Sequence, residues 1–266
     1  MHSNSYTIGF AAIVTIVCSL FLALASEALK PEQKKQEELY IKKIRLSVVG
    51  VEVPETLKDV DVLKLYDEKI KTVFIDETGA EVEAPQNVNA YDYEKELKRF
   101  GFSYTDVKDV STLKSNPEYQ KNHFKIPVYI RMENGQPQYY MIPLVGKGLW
   151  STLYGLVSFE PDMNTVKGLA FYKQQETPGL GAEIERDWFK ANFVGKTIFN
   201  ENGDLASITV KKGDVDESVP NEKAHMVDGI SGATITSSGV TKLLKKDLSL
   251  YEPYFKKNQE KNMESK

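Results

Sequence analysis

Residues 8–25 form a run of 18 residues without a charge, and no other stretch restricts the conformation of this chain as strongly. In hydrocarbon every backbone N–H and C=O must be paired within the segment, so such a run has to be helical. At about 1.5 Å per residue it spans roughly the core of a bilayer. It is expected to be a single retained membrane anchor, residues 1–28, with residues 29–266 as a soluble domain. Ala23-Leu24-Ala25 resembles a signal-cleavage site, but no Lys or Arg precedes the run, which is longer than the usual signal h-region. Ala11, Thr15, Ser19 and Ala23 place small side chains along one ridge where another membrane helix could pack. The run holds no carboxylate to bind an ion, so ion conduction is expected to belong to other polypeptides.

Charged residues make up 27% of the chain, and 34 basic against 38 acidic residues give a net charge of −4. No basic tract suits nucleic acid. The single cysteine, Cys18, lies inside the apolar run. That excludes a disulfide framework, a Cys-x-x-Cys redox pair and an iron–sulfur cluster held by this chain alone. Redox chemistry would need an organic cofactor. His2, His123 and His225 are far apart and lack metal-ligand spacing, so surface or loop packing is expected of each, and no metal site. A serine hydrolase fits poorly: there is no Gly-x-Ser-x-Gly elbow, and His225, near Ser231, has no evident acid partner.

Residues 27–45 are polar and helix-prone and should carry the anchor helix into solvent. Leu57, Val60, Leu63, Tyr66 and Ile70 recur at about helical spacing. A short strand is expected over residues 71–76, turning at Thr78-Gly79. Residues 87–122 show little periodicity, several charges and the turn-prone Asn116-Pro117, the marks of an insertion or an extended surface loop. From Lys125 the pattern becomes that of a sheet. Residues 126–132 and 138–145 flank Asn134-Gly135, a strong hairpin pair. Residues 154–160 and 165–173 flank Pro161-Asp162, and residues 196–199 and 206–211 flank Asn202-Gly203. Three hairpins predict an antiparallel sheet, with a helix over residues 182–192 and a C-terminal helix covering one face. The expected fold class is α+β, a single N-terminal transmembrane helix followed by a domain of antiparallel sheet and covering helices.

The C-terminal helix is preceded by Asp228-Gly229-Ile230-Ser231-Gly232-Ala233-Thr234. Val240, Leu243, Leu244, Leu248, Tyr251, Tyr254 and Phe255 give it one apolar face, and Thr236, Ser237 and Ser238 offer N-cap hydroxyls. A helix opening here aims unpaired N–H groups and the positive end of its dipole upstream, a setting that suits a phosphate. Gly229 and Gly232 remove side chains where the backbone must turn or approach a ligand closely. Thr234 adds a hydroxyl beside that anion site. On composition alone the string is equally a Ser/Gly turn ahead of a capped helix.

Asp228 to Thr234 match Asp-x-x-(Ser/Thr)-Gly-Ala-(Thr/Ser), the pattern of the FMN-binding domain family, whose last hydroxyl residue is joined to FMN through a phosphoester. Gly148-Leu149-Trp150-Ser151 resembles that family's Gly-Leu-Trp-Ser segment, and Glu176-Thr177-Pro178-Gly179-Leu180-Gly181 its Glu-Thr-Pro-Gly-Leu-Gly loop. With one N-terminal membrane helix, the chain over its whole length is similar to the NqrC family, the C subunits of sodium-translocating NADH:quinone oxidoreductases. The resemblance implies covalent FMN on Thr234, with Asp228, Ser231, Gly232 and Ala233 around the attachment point. It implies that Gly148, Leu149, Trp150, Ser151, Glu176, Thr177, Gly179 and Leu180 complete the flavin site. It also implies a bacterial inner-membrane complex with other membrane subunits, in which electrons pass from NADH to ubiquinone with coupled Na+ transport. A separate flavin transferase using FAD is implied too, since an alkyl hydroxyl is a weak nucleophile without a base and no His or Lys is placed to serve Thr234. The G subunit of the Rnf ferredoxin:NAD oxidoreductase shares the anchor and the motif and is the nearest alternative. The length of residues 87–122 and the Ala28-Leu29-Lys30 exit from the membrane favour the quinone reductase. A membrane-tethered binding module without flavin is the alternative from another class.

Several side chains carry two readings. Trp150 lies against an isoalloxazine face, with aromatic packing worth about 0.5–1.5 kcal/mol beyond area, or closes the sheet as a core aromatic. Glu176 hydrogen-bonds a flavin N–H or sets its protonation, or it caps the helix starting at Ala182. Lys211 and Lys212, ahead of Gly213, neutralise phosphate or form a solvated strand edge. For sidedness, Lys30, Lys34, Lys35, Lys42, Lys43 and Arg45 follow the apolar run, which by the positive-inside rule puts the domain in the cytoplasm. The family implies the periplasm. Only Lys30, Lys34 and Lys35 lie close to the membrane end, among interleaved acidic residues, and the periplasmic side is preferred.

Overall fold

The computed structural model describes residues 3–86, 88, 91–101 and 124–264. Helix α1 (Asn4–Val48) contains the apolar run and continues through the polar stretch that follows, passing residue 28 without interruption. A window of 18 residues in it has mean hydropathy 2.6 and is not buried against the protein. Burial begins further along the same helix, at Leu39, Leu46 and Val48.

Next come α2 (Asp59–Lys69), β1 (Ile70–Ile75), β2 (Glu81–Val82) and α3 (Tyr93–Arg99), then the long strands β3 (Ile126–Glu133), β4 (Gln136–Lys147), β5 (Thr152–Phe159) and β6 (Val166–Lys173). The remainder comprises a 3-10 turn (Gly181–Glu185), α4 (Asp187–Ala191), β7 (Thr209–Val210), α5 (Pro220–His225), β8 (Met226–Val227) and the terminal α6 (Thr234–Glu264). The six-stranded sheet is antiparallel, in the order β2-β1-β3-β4-β5-β6. Asn134 and Gly135 both take positive φ, 50° and 76°, the two-residue turn that matches the twist of paired strands.

Successive side chains on a strand point to opposite faces, so the sheet shares its residues between two cores. Val128, Ile130, Ile142, Leu144, Val157 and Leu169 pack with Val240, Leu243, Leu244, Leu248 and Phe255 of α6. The alternate residues Tyr129, Met141, Leu156 and Ala170 pack with Leu39, Leu46, Val62 and Tyr66 of α1 and α2. Helices therefore cover both faces rather than the expected one. The cause is visible in β3, where residues 126–130 are all buried, leaving no solvated face.

Other expectations are adjusted by local geometry. The helix expected over residues 182–192 is split at Arg186, whose backbone is extended at φ −74° and ψ 147°. The turn at Asn202-Gly203 forms, with Asn200 Oδ1 accepting from Asn202 N and Asp204 N, each at 2.9 Å. Its arms add no strand to the six-stranded sheet; the first only touches the start of β6, where Val166 N donates to Lys196 O at 2.8 Å and Thr165 bridges Thr197. Ala206 N and Ser207 N both donate to Ile198 O, Ser207 sits at φ 62°, and this bulge ends the ladder after the Phe199–Leu205 bridge. β7 instead pairs in parallel with β8. In α2 the buried face is Val62 and Tyr66, while Val60 is exposed. Part of the expected insertion is packed: Leu97 and Phe100 are core residues. Asn116-Pro117 and His123 lie outside the described residues.

The contact of α6 with β4 is closed by a buried polar group. β3 pairs with β4 only up to Met141. Beyond it, Val145 N donates to Asp247 Oδ2 at 2.8 Å and Val145 O accepts from Lys246 Nζ at 2.7 Å. Two side chains of α6 thus satisfy a strand edge that would otherwise be orphaned. Lys246 and Asp247 also pair with each other at 2.8 Å, and Tyr93 OH donates to Asp247 at 2.9 Å. Burial pushes the Asp247 carboxyl above its ordinary range against the pull of Lys246 and these donors.

Candidate functional site

Residues 228–234 join β8 to α6, and their groups divide into those that tie the segment down and those left free. Asp228 Oδ1 accepts from Val215 N at 2.7 Å, and Gly229 N donates to Gly213 O at 2.9 Å. A Cβ on Gly229 would lie 2.2 Å from Lys211 O, so a side chain there would lift the segment off the end of β7. Ile230 and Ala233 are buried in the core. Ser231, Gly232 and Thr234 remain exposed.

Thr234 is the first residue of α6, two positions ahead of the first of the expected caps. Ser237 N donates to Ala233 O at 3.0 Å, so the N–H groups of Thr234, Ile235 and Thr236 precede the first intrahelical bond of this turn. The expected caps consequently sit inside the helix. Thr236 Oγ1 donates to Glu176 Oε2 at 2.6 Å. Ser237 Oγ is buried without a hydrogen-bond partner among the described residues.

Two clefts meet at this point, and Gly232 and Thr234 border both. The larger, about 760 Å³, runs along Lys212, Gly213, Ser231 and Ser237. Lys211 also borders it, but its ammonium is paired with Glu222. Lys212 is exposed and makes no ion pair among the described residues, so it is the cation free to meet an anion here. The smaller cleft, about 240 Å³, is bounded by Leu149, Trp150, Glu176, Thr177 and Leu180. Trp150 is 66% exposed, which removes its reading as a core aromatic.

Glu176 organises the second cleft from beneath. Its Oε2 accepts from Leu149 N at 3.0 Å as well as from Thr236, and its Oε1 accepts from Trp150 N at 2.9 Å and Ser151 N at 3.1 Å. Neither reading of its side chain describes this geometry. The carboxylate is committed to protein donors rather than to a ring N–H, and the 3-10 turn after Leu180 has no side-chain cap. Burial pushes the Glu176 carboxyl up, but the donors from Thr236, Trp150, Ser151 and Leu149 more than offset this and hold it below the usual range. The close approach depends on glycine: a Cβ on Gly148 would lie 2.6 Å from Glu176 Oε1, and one on Gly181 2.5 Å from Thr236 Oγ1.

Of the sequence-predicted residues, Leu149, Trp150, Glu176, Thr177, Leu180, Gly232, Ala233 and Thr234 border the smaller cleft, and Ser231 and Lys212 the larger. Gly148, Ser151, Gly179 and Asp228 border neither. Gly148 makes room for Glu176, Ser151 donates to it, Gly179 turns the loop at φ 73°, and Asp228 ties down the motif. No motif marks Thr236, Ser237 or Gly239 as a contact residue of the site. A Cβ on Gly239 would lie 2.3 Å from Lys147 O, a contact between residues far apart in sequence that no local pattern reveals. His225 is buried with Nδ1 2.7 Å from Thr197 O, the packing role expected of it. No His, Cys, Asp or Glu cluster able to hold a metal occurs among the described residues.

A helix N-terminus, hydroxyls and a free lysine on one side of Thr234, with an indole and leucines on the other, make a donor set that fits a ligand combining a phosphate with a flat ring. Residues 148–249 match the FMN-binding domain, a span that contains all three motifs and the first half of α6. The chain is therefore an FMN-binding-domain protein. The C subunit of the Na(+)-translocating NADH-quinone reductase of Pseudomonas aeruginosa is 35% identical over 245 residues, covering 91% of this chain and 90% of that protein. The same subunit of Haemophilus ducreyi is 34% identical over 239 residues, covering 90% and 87%. The crystal structure of this subunit from Parabacteroides distasonis superposes with TM-score 0.65 at 32% identity, covering 85% of this chain and 96% of that one. That of Shewanella oneidensis NqrC gives TM-score 0.66 at 26% identity, covering 86% and 99%. The chain belongs to the NqrC family, the C subunits of the Na(+)-translocating NADH-quinone reductases, which decides the family against the Rnf alternative.

Proposed function

We propose that this chain carries FMN as a phosphoester on Thr234 and relays electrons between neighbouring subunits of a complex that oxidises NADH, reduces ubiquinone and moves Na+. The observation that carries this reading is the position of one hydroxyl. Thr234 is exposed, opens α6, and stands where a hydroxyl-lined cleft with a free lysine meets an aromatic one. When bound, the flavin supplies the electron chemistry. The chain supplies the rest. The helix N-terminus and Lys212 stabilise the phosphate, Trp150, Leu149 and Leu180 lie against the ring, and Glu176 keeps their loop in place. Thr234 has no base hydrogen-bonded to it among the described residues, which supports a dedicated flavin transferase as the agent of attachment. Electrons need pass only through the ligand, and the ester leaves its ring untouched.

The proposal extends to placement: a single-pass protein of the bacterial inner membrane, anchored by residues 1–28, with residues 29–266 on the periplasmic side. Mass spectrometry of the peptide spanning residues 228–242 should show added FMN, and Thr234→Ala should abolish in-gel flavin fluorescence of the denatured chain. An unmodified peptide from native material would sink the electron-relay reading and leave a tethered binding module. Protease accessibility in intact spheroplasts tests sidedness: a protected domain would place it in the cytoplasm.

A further inference from the structure

Ser237 lines the larger cleft together with Thr234 and Lys212. The residue is 6% exposed, and its Oγ has no hydrogen-bond partner among the described residues. A buried hydroxyl without a partner is disfavoured. A serine inside a helix ordinarily escapes this by bonding back to the carbonyl one turn earlier. Thr241 does so, donating to Ser237 O at 3.2 Å while accepting from Val210 N at 3.0 Å. Ser237 does not, although it lies one turn after Thr234 on the same side of α6.

We propose that the Ser237 hydroxyl donates a hydrogen bond to a non-bridging oxygen of the phosphodiester on Thr234, and so acts as a positioning residue of the flavin site. The inference rests on Thr234 being the attachment point. A diester keeps one negative charge spread over two oxygens, and a hydroxyl donated to such a group makes a charge-assisted bond. Lys212, in the segment that follows β7, supplies charge with a flexible side chain. Ser237 sits on the helix itself and supplies direction. Together they orient the phosphate, and with it the start of the ligand, relative to the Trp150 cleft.

The test compares Ser237→Ala with wild type in the full chain, purified in detergent with and without co-expressed flavin transferase. In unmodified protein the substitution removes an orphaned hydroxyl, so Tm should hold or rise. In flavinylated protein it should fall by at least about 3 °C relative to flavinylated wild type. Equal shifts in the two forms would overturn the proposal. Should the variant escape flavinylation, FMN is titrated into both unmodified chains, where at least about 10-fold weaker binding to the variant is expected and equal affinity overturns the proposal. Failure of the attachment itself is read separately, as a wild-type peptide without added FMN.

Discussion

Two buried carboxylates hold α6 against β4, one at the opening of the helix and one further along it. Asp247 reaches Val145 in the strand, and Glu176, through Thr236, ties the first turn of the helix to the loop that leaves the strand. Their partners differ. Asp247 faces a lysine, a tyrosine and a backbone amide, all within the core. Glu176 faces three successive loop amides and a threonine hydroxyl, with a cleft on the other side of the loop. Full enclosure makes the first a determinant of stability. The second, itself buried, shapes the wall of a surface cleft.

The largest effect should come from Asp247→Ala, which leaves Tyr93 OH and Val145 N–H buried without their acceptor and Lys246 buried without its counter-charge. Loss of about 3–5 kcal/mol is expected, measured by denaturant unfolding of the full chain in detergent; a loss below about 1 kcal/mol would mean the pair is not enclosed. Glu176→Gln turns an amide NH2 toward one pair of donors and should cost about 1–3 kcal/mol. It should also change the pH profile in a way that separates the two sites. Because the folded Glu176 carboxyl is lowered, its contribution is present above the ordinary carboxyl range and is lost as pH falls through the lowered value. Glu176→Gln should therefore flatten the acid side of the stability curve. Asp247 is raised and has the opposite sign, since the folded chain takes up that proton before the unfolded one does, so Asp247→Asn should steepen the same limb. Curves that move together would erase the distinction.

Gly239→Ala probes the contact between the two carboxylates. A helix gains about 1 kcal/mol from alanine over glycine, but overpacking costs about 1–3 kcal/mol, and the Cβ would meet Lys147 O at 2.3 Å. We expect a net loss of about 1 kcal/mol in thermal unfolding; a stabilised variant would show that helix and strand can separate at no cost. Trp150→Ala should be smallest, within about 0.5 kcal/mol, because the indole is already largely in water. Its effect belongs in the flavin fluorescence of the folded, loaded chain, and unchanged quenching there would detach Trp150 from the ring.

The sheet was legible where one residue pair decides the turn. Asn134-Gly135 dictates both its backbone geometry and its strand pair. The apolar face of α6 was legible because Val240, Leu243, Leu244, Leu248, Tyr251 and Phe255 repeat with the helix and all are buried. The third hairpin was not. Its turn formed, yet the bulge at Ser207 sent the chain to a parallel partner at β8. The sequence singled out Glu176 but not its partners, since which donors a buried carboxylate finds depends on three segments meeting in space.

Periodicity and short motifs, which act through neighbours along the chain, by themselves determined an uncharged helical run, an antiparallel sheet, a terminal amphipathic helix and a hydroxyl at its opening. Tertiary structure alone decided that helices cover both faces, that Asp228 and Glu176 serve the scaffold, and that Thr234 stands between two clefts. The reason is range: a hydrogen bond or a missing Cβ acts over a few ångströms, and residues as distant as Lys147 and Gly239 come that close only once the chain has folded.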